Sequence, residues 1–201
     1  MARDRAALGQ TGRVRLFAAV LPPDPAVAEL AARVGALRRL PGADGLRWTE
    51  RAGWHFTLAF FGQVDESVLP ALHERLARAA HRHPPHEVRL AGGGRFADKV
   101  VWAGVEGDRA TLGHLADSAE AGARRAGVAM ERHRRPYHPH LTLARCRGGA
   151  DLRPYVDGLA DFEGSAWTVA ELSLVRSHPP APGVPGAQPR YEVVAAWPLG
   201  H

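Results

Sequence analysis

HFTLAF at residues 55–60 and HLTLAR at residues 140–145 are two copies of one pattern in this chain of 201 residues. The copies share the histidine, the threonine, the leucine and the alanine, and they differ only at the second and sixth positions. Each copy sits in an apolar run of residues that favour strands. The repeat therefore predicts two related β-strands, one in each half of the chain.

The period of a β-strand separates the two faces of each copy. Side chains alternate faces along a strand, so the histidine and the threonine of one copy point the same way. The apolar residues of the two copies are predicted to be buried on the opposite face: Phe56, Leu58, Leu141 and Leu143. Two such strands facing each other would form a pocket with two imidazoles and two hydroxyls.

Two imidazoles beside two hydroxyls suit the cleavage of a phosphoester without a metal ion. One neutral histidine can take a proton from the attacking water, while the other, protonated, gives a proton to the departing oxygen. Histidine fits both roles because its pKa lies near neutral pH. The threonine hydroxyls can donate hydrogen bonds to the non-bridging phosphate oxygens, where negative charge accumulates. One motif alone is typical of an ordinary structural strand, whereas the matched pair favours catalysis.

Strands and helices are interleaved along the rest of the chain, and several neighbouring strands are joined without a helix. Strands are expected at 13–21, 46–48, 54–61, 87–91, 100–105, 140–145, 166–176 and 191–197, and helices at 24–39, 65–80, 109–126 and 151–159. Gly62 is expected to end a strand, Gly92–Gly94 to form a turn, and 177–189 to be a loop. This order favours an α+β fold with largely antiparallel sheets.

The chain shows no linker between its halves. Residues 1–12 are predicted to be a disordered arm, and residues 13–201 a single domain of two closely packed lobes. The sequence contains no run of eighteen apolar residues and no signal-peptide core. Cys146 is the only cysteine, which excludes an internal disulfide and a cysteine-based zinc site. These features predict a soluble cytoplasmic protein, and nothing in the sequence calls for an assembly larger than a monomer.

Charge and histidine content add weaker indications. The 26 Lys and Arg residues against 21 Asp and Glu leave a net charge of +5, which favours an anionic partner only slightly. The histidine groups within 81–86 and 133–140 lack the spacing and the carboxylate support of a zinc site, and neighbouring prolines interrupt them. The glycines at 92–94 lack the Lys-Ser/Thr of a phosphate-binding loop. We expect no metal ion and no cofactor.

Beyond the two motifs, the sequence resembles the 2H phosphoesterase superfamily, which is named for two His-x-Thr/Ser motifs. More narrowly, it is similar to the bacterial and archaeal RNA 2′,3′-cyclic phosphodiesterases, historically called 2′-5′ RNA ligases. The resemblance runs from Arg13 to Leu199 and rests on these stretches: RLFAAVLPP, LRWTERAGWHFTLAFFG, KVVWAGVE, RPYHPHLTLAR and ELSLVRSHPP. It implies a bilobal α+β fold with helices outside and two largely antiparallel sheets facing a central cleft, with one motif from each lobe.

The resemblance also implies a reaction: the metal-independent opening of a terminal 2′,3′-cyclic phosphate to leave a 2′-phosphate. By analogy with the family, His55 is the general acid to the departing 3′ oxygen and His140 is the general base for water. The sequence allows these two roles to be reversed. Thr57 and Thr142 would bind the phosphate. The implied partner is RNA with a 2′,3′-cyclic phosphate end, or a small cyclic nucleotide.

Several positions near the motifs carry two interpretations each. Arg145 sits where the family has a basic residue near the substrate, or it is a solvated charge at a strand end. Phe96 lies in the region that brings an aromatic ring near the substrate base, or it belongs to the core. Trp54 is a hydrophobic anchor or a stacking surface, and His138 shares the face of the second motif or lies in a loop. The basic loop 132–135 tracks an RNA backbone or is simply solvated.

Two alternatives use the same cleft. A non-catalytic module could bind RNA ends without turnover, although binding alone would not require two proton-transfer groups. Reversible 2′-5′ ligation of RNA would use the same cleft and would differ from hydrolysis in what flanks the phosphate. The sequence does not discriminate between these reactions, and it leaves the physiological substrate open.

Overall fold

A computed structural model describes residues 12–130, 137–146, 148–180, 183 and 187–200. The predicted arm lies outside the described residues except for Gly12. The strands are β1 Arg13–Val20, β2 Leu46–Trp48, β3 Phe56–Asp65, β4 His86–Phe96, β5 Val100–Gly107, β6 Leu141–Cys146, β7 Trp167–Val169, β8 Glu171–His178 and β9 Arg190–Pro198. The helices are α1 Asp24–Leu37, α2 Leu69–His81, α3 Arg109–Arg125 and α4 Arg153–Asp157.

The strands form two sheets, and the strand pairs within both are antiparallel. The first sheet has the order β3-β1-β8-β9, and the second has the order β2-β6-β5-β4-β7. The two halves of the chain are interwoven, because β2 from the first half pairs with β6 and β8 from the second half pairs with β1. The predicted α+β fold with two antiparallel sheets is confirmed.

Helices cover the outer faces of the sheets. In the first sheet, α3 packs on β3 and α2 packs on α3 and β9, while α1 and α4 contact β4 of the second sheet. The apolar stripes of these helices are buried as their spacing predicts, for example Leu30, Val34 and Leu37 in α1. Pro25 lies in the first turn of α1, where its missing N–H costs no hydrogen bond. None of the described helices is long and apolar enough to cross a membrane.

Two glycine predictions are wrong, for the same physical reason. Gly62 does not end β3, which continues to Asp65, and Gly92–Gly94 is not a turn but part of β4. Gly62 has φ +70° and Gly92 has φ +58°, and in both places the pairing register shifts. Glycine tolerates positive φ without steric cost, so the strand bends at a β-bulge and continues.

The single strand predicted at 166–176 is two strands in different sheets. Trp167–Val169 pairs with β4 in the second sheet, and Glu171–His178 pairs with β1 in the first. The chain changes sheets at Ala170, whose carbonyl accepts a hydrogen bond from the Leu199 amide at 2.8 Å. A continuous run of strand-forming residues carries no sign of this change, because the two pairings are made with distant segments.

Candidate active site

Each histidine of the repeat lies immediately before a strand, and each threonine is the second residue of that strand. β3 begins at Phe56 in the first sheet, and β6 begins at Leu141 in the second. The cleft between the sheets encloses about 380 Å³ and is lined by both histidines and both threonines of the motifs. The apolar side chains predicted to face away are buried: Phe56, Leu58, Leu141 and Leu143. The structure therefore brings together the four residues that the repeat predicted.

A β-bulge follows the first motif. Thr57 is opposite Ala19, but Ala59 is opposite Ala18, so Leu58 is an extra residue without a partner on β1. Leu58 and Ala59 are both buried as a result. The alternation then restarts, and Phe60 points into the cleft, where simple alternation would have turned it toward the core.

The second motif has a bulge at the equivalent position. Thr142 is opposite Trp102 and Ala144 is opposite Val101, so Leu143 is the extra residue. Leu143 and Ala144 are both fully buried, and Arg145 points into the cleft. The same β-bulge therefore turns the sixth residue of each copy into the cleft. This residue is Phe60 in the first copy and Arg145 in the second.

His55 lies in an aromatic and largely desolvated environment. Its ring centroid is 4.6 Å from that of Phe17 and 5.0 Å from that of Tyr191. Burial lowers the pKa of His55 to about 4, because desolvation disfavours the charged imidazolium. In the unliganded cleft this histidine is therefore neutral at pH 7.

His140 is held by its neighbour in the chain. Its Nδ1 donates a hydrogen bond to the His138 carbonyl oxygen at 2.7 Å. Because a carbonyl only accepts, Nδ1 carries the hydrogen, and Nε2 of the neutral ring carries the lone pair. Burial lowers the pKa of His140, and the bond to His138 opposes this effect. No hydrogen bond joins Nε2 to any residue that the structure describes, so this nitrogen can accept a proton.

A cluster of rings supports His140 on one side. The Phe96 ring lies edge-on to His140 with centroids 4.7 Å apart, and Trp102 packs against His138 at 4.8 Å. Phe96 is 38% exposed, so it contacts His140 from the protein surface and does not belong to the buried core. His138 lies outside β6, in accordance with the loop interpretation, yet it contributes both its carbonyl and its ring to this cluster.

Three guanidinium groups line the cleft, and none of its described lining residues carries a carboxylate. They belong to Arg15 of β1, Arg47 of β2 and Arg145 of β6. Burial raises the pKa of Tyr191, and the positive charges of these three arginines oppose that rise, which indicates that they all act on its hydroxyl. The cleft is therefore suited to an anionic ligand.

Arg15, Arg47 and Tyr191 were missed by the sequence analysis. They are distributed over strands that meet only through long-range pairing, so no local pattern marks them. Arg47 also anchors one wall of the cleft, since its Nη2 donates to the Ala187 carbonyl at 2.8 Å. The Gln188 amide strengthens the same wall by donating to the Trp48 carbonyl at 3.0 Å.

The remaining expectations have separate outcomes. Trp54 is buried in the main core, so it is a hydrophobic anchor. The basic loop 132–135 lies outside the described residues. Within the described part of the chain, no three His, Cys, Asp or Glu side chains form a group that could hold a metal ion.

Comparison with known proteins adds an independent observation. Residues 22–180 match the model of a family described as the 2′-5′ RNA ligase superfamily. The chain is 33% identical over 152 residues to a protein of Aeropyrum pernix named RNA 2′,3′-cyclic phosphodiesterase, with 71% of this chain and 84% of that protein covered. A protein of the same name from Geobacillus stearothermophilus is 31% identical over 157 residues, or 76% of this chain. The match spans only 47% of the length of the Geobacillus protein.

Solved structures show the same architecture. The apo crystal structure of E. coli LigT superposes with a TM-score of 0.73 at 26% identity, covering 94% of this chain and 99% of LigT. LigT in complex with 3′-AMP superposes with a TM-score of 0.71 and the same coverage. A crystal structure of a Thermus thermophilus protein gives a TM-score of 0.72 at 28% identity, covering 92% of this chain and 98% of the other.

Proposed function

Because this chain belongs to the 2′-5′ RNA ligase superfamily, as its sequence resemblance indicated, we propose that it hydrolyses 2′,3′-cyclic phosphate ends of RNA or nucleotides to 2′-phosphates. The observation that carries the proposal is the meeting of two His-Thr pairs, one from each sheet, across a single cleft rich in arginine. The curated relatives named RNA 2′,3′-cyclic phosphodiesterase support the same reaction. Each pair supplies one proton-transfer group and one hydroxyl donor.

The phosphate lies between the two motifs in this proposal. The hydroxyls of Thr57 and Thr142 donate hydrogen bonds to its non-bridging oxygens, which gain negative charge as water attacks phosphorus. Arg145 follows the second motif on the same face of the cleft, so its guanidinium adds a permanent positive charge near that position. Arg145 also acts electrostatically on His140, which is consistent with a location close to the reacting centre.

His140 is the general base. The lone pair on Nε2 takes a proton from the attacking water, while Nδ1 remains bonded to the His138 carbonyl. The water oxygen forms a bond to phosphorus, and the bond from phosphorus to the 3′ oxygen breaks. The hydrogen bond to His138 stabilises the imidazolium that results, because the bonded N–H becomes more acidic as the ring gains charge.

His55 is the general acid to the departing 3′ oxygen. The low pKa of His55 in the unliganded cleft would by itself favour the opposite assignment, because a protonated His55 is then scarce near pH 7. A bound phosphate anion raises the pKa of a nearby imidazole and so favours the charged acid in the complex. The products are a 2′-phosphate monoester and a free 3′ hydroxyl, and the step uses protein groups without a metal ion.

The reaction class is tested by incubating the protein, in EDTA, with a nucleoside 2′,3′-cyclic phosphate and with a short RNA that ends in one. Phosphorus NMR is expected to show a 2′-phosphate from both. His55→Ala and His140→Ala should each abolish turnover, while His114→Ala, which removes an exposed imidazole on α3, should not. A 3′-phosphate product would refute the proposed regiochemistry, and the absence of conversion would refute the proposed activity.

The acid and base roles are separated by a substrate in which sulfur replaces the bridging 3′ oxygen. A thiolate leaves without a proton, so such a substrate does not need the general acid. We expect the His55→Ala variant to recover activity on this substrate and the His140→Ala variant to remain inactive. Recovery in the His140 variant instead would reverse the two roles.

A further inference from the structure

The cleft continues beyond the two motifs to an arginine and a phenylalanine that the reaction described above does not use. The Arg15 guanidinium lies over the Phe60 ring, 5.0 Å from its centroid. Both side chains line the same cleft as the histidines, and Phe60 is 40% exposed. An exposed ring beside a cation inside a cleft can offer stacking and positive charge to the same ligand.

Strand pairing gives the position of this pair relative to the reacting centre. Phe17 is opposite Phe60 on the cleft face of the first sheet, and Arg15 is opposite Gln63. Phe17 is the residue whose ring contacts His55. Since a strand rises about 3.3 Å per residue, the Arg15 backbone lies roughly 7 Å from that of Phe17 along the sheet. Arg15 is thus the next residue on the same face of β1 after the one whose ring contacts His55, a spacing comparable to that of neighbouring phosphates in a nucleic acid strand.

The charge of Arg15 is available to a ligand. Among the described residues no carboxylate pairs with Arg15, whose guanidinium contacts the Phe60 ring. Arg47 differs, because its guanidinium is engaged by the Ala187 carbonyl. Arg145 lies beside the second motif, where the cyclic phosphate is proposed to bind. A single phosphate therefore accounts for Arg145 and leaves Arg15 for a second anionic group.

We propose that Arg15 and Phe60 form a second subsite, which binds the phosphate on the 5′ side of the nucleotide that carries the cyclic phosphate. This inference rests on the proposed function. In this proposal the ribose, whose 3′ oxygen is protonated by His55, lies on the side of the first sheet with its 5′ carbon toward Arg15. The guanidinium binds the 5′ phosphate, and the exposed part of the Phe60 ring contacts the preceding nucleoside.

The subsite defines a substrate class. A phosphate on the 5′ side is present as the phosphodiester of an RNA chain or as a free 5′-phosphate on a small nucleotide, and it is absent from a nucleoside 2′,3′-cyclic phosphate. The proposed subsite therefore makes the end of an RNA chain a better substrate than a nucleoside 2′,3′-cyclic phosphate, which lacks the group that the subsite binds. Contact with the preceding nucleoside distinguishes the RNA chain from the small nucleotide, because only the chain reaches the Phe60 ring.

The test compares three substrates: a nucleoside 2′,3′-cyclic phosphate, the same compound with a 5′-phosphate, and a tetranucleotide ending in the cyclic phosphate. The variants are Arg15→Met, which keeps the aliphatic stem, and Phe60→Leu. Arg78→Met is the matched control, since it removes one exposed guanidinium from α2 outside the cleft. Thermal melting checks that each variant is folded.

We expect the unchanged protein to have a kcat/KM for the tetranucleotide that is more than tenfold that for the cyclic nucleoside. Arg15→Met should bring this ratio close to one, a reduction of roughly tenfold or more, as expected for the loss of a charge-assisted hydrogen bond. For the tetranucleotide, the slope of log kcat/KM against log salt concentration should become shallower by about 0.7, which is the share of one phosphate contact on a single strand. Arg78→Met should change neither quantity.

The 5′-phosphorylated cyclic nucleoside identifies the source of the second phosphate. If its kcat/KM equals that of the tetranucleotide and falls in Arg15→Met but not in Phe60→Leu, a free 5′-phosphate is sufficient to occupy the subsite. If the tetranucleotide remains better and loses its advantage in Phe60→Leu, the subsite is built for an RNA chain. Both results support a second phosphate subsite.

The proposal is overturned if the unchanged protein hydrolyses the three substrates with equal kcat/KM, or if Arg15→Met lowers all three in parallel without a change in salt slope. Failure of the proposed function gives a different result, namely no hydrolysis of any substrate. In that event the dissociation constants of a fluorescent tetranucleotide decide the matter. Equal values for the unchanged protein and for Arg15→Met would then refute the subsite as well.

Discussion

The support of His140 by neighbouring rings leads to a sharp prediction about Gly94. A Cβ atom added at Gly94 would lie 2.7 Å from Cη2 of Trp102, 2.9 Å from its Cε2 and closer still to its Cζ2. Ordinary carbon contacts begin near 3.5 Å, so the indole must move by about 1 Å. Trp102 packs against His138, whose carbonyl accepts the hydrogen bond from His140 Nδ1. Gly94→Ala is therefore expected to displace His140 through two intervening contacts.

The movement of the indole by about 1 Å sets the upper limit for the displacement of His140, and therefore for the loss of activity. A misplacement of about 1 Å at a reacting group can reduce the rate about 100-fold, so we expect kcat to fall roughly 10- to 100-fold. Overpacking of this kind costs about 1–3 kcal/mol in the free energy of unfolding. Initial rates on a nucleoside 2′,3′-cyclic phosphate and a denaturant titration measure the two effects separately.

Two further variants make the reasoning refutable. Gly113→Ala is the control, because its Cβ would meet nothing within 4 Å and alanine favours the helix α3. In the double variant Gly94→Ala, Trp102→Phe, the smaller ring lacks the clashing part of the indole, and kcat should recover at least partly. A Gly94→Ala protein with unchanged kcat would show that Trp102 does not position His140. The same conclusion would follow if the double variant were no faster than the single one.

Four other outcomes are expected. The pKa values of both histidines are lowered, so the bell-shaped profile of kcat/KM, measured from pH 4 to 9, should have its maximum below pH 6.5; a maximum near pH 8 would contradict the burial of the two imidazoles. Thr57→Val should reduce kcat by about 10²–10³, as for one oxyanion donor, and a loss below tenfold would remove Thr57 from the phosphate site. Gln188→Ala should free the wall formed by residues 187–189 and raise KM severalfold with a smaller change in kcat, which steady-state kinetics can separate. Activity should survive EDTA, and a requirement for added metal would contradict the proposed mechanism.

Much of the site could be predicted because its pattern is local. The alternation of side chains is a property of any strand, and it placed His55 and Thr57 on one face and Phe56 and Leu58 on the other before any partner strand was known. The same argument held for the second motif, where Leu141 is buried beneath the pair. The repeat itself was visible without a structure, since it depends only on residue identity.

The departures from alternation could not be predicted in this way. A β-bulge is defined by two residues facing one on the partner strand, so Leu58 and Leu143 are recognisable as extra residues only after β1 and β5 are paired. The switch of sheets at Ala170 has the same origin, because it depends on which distant strand each segment meets. Glycine often ends a strand, but Gly62 and Gly92 lie inside continuous strands, where their positive φ values allow the strand to bend.

The sequence by itself determined the two His-x-Thr motifs, their buried and exposed faces, the α+β class and the chemistry that two imidazoles and two hydroxyls can perform. These follow from residue identity and from the period of a strand, both of which are local. Only the tertiary structure decided that Phe60 and Arg145 occupy equivalent positions in the cleft, and that Arg15 joins them from another strand. The physical reason is that strand pairing joins segments far apart in the chain, and the energies that select one register come from contacts that no local pattern contains.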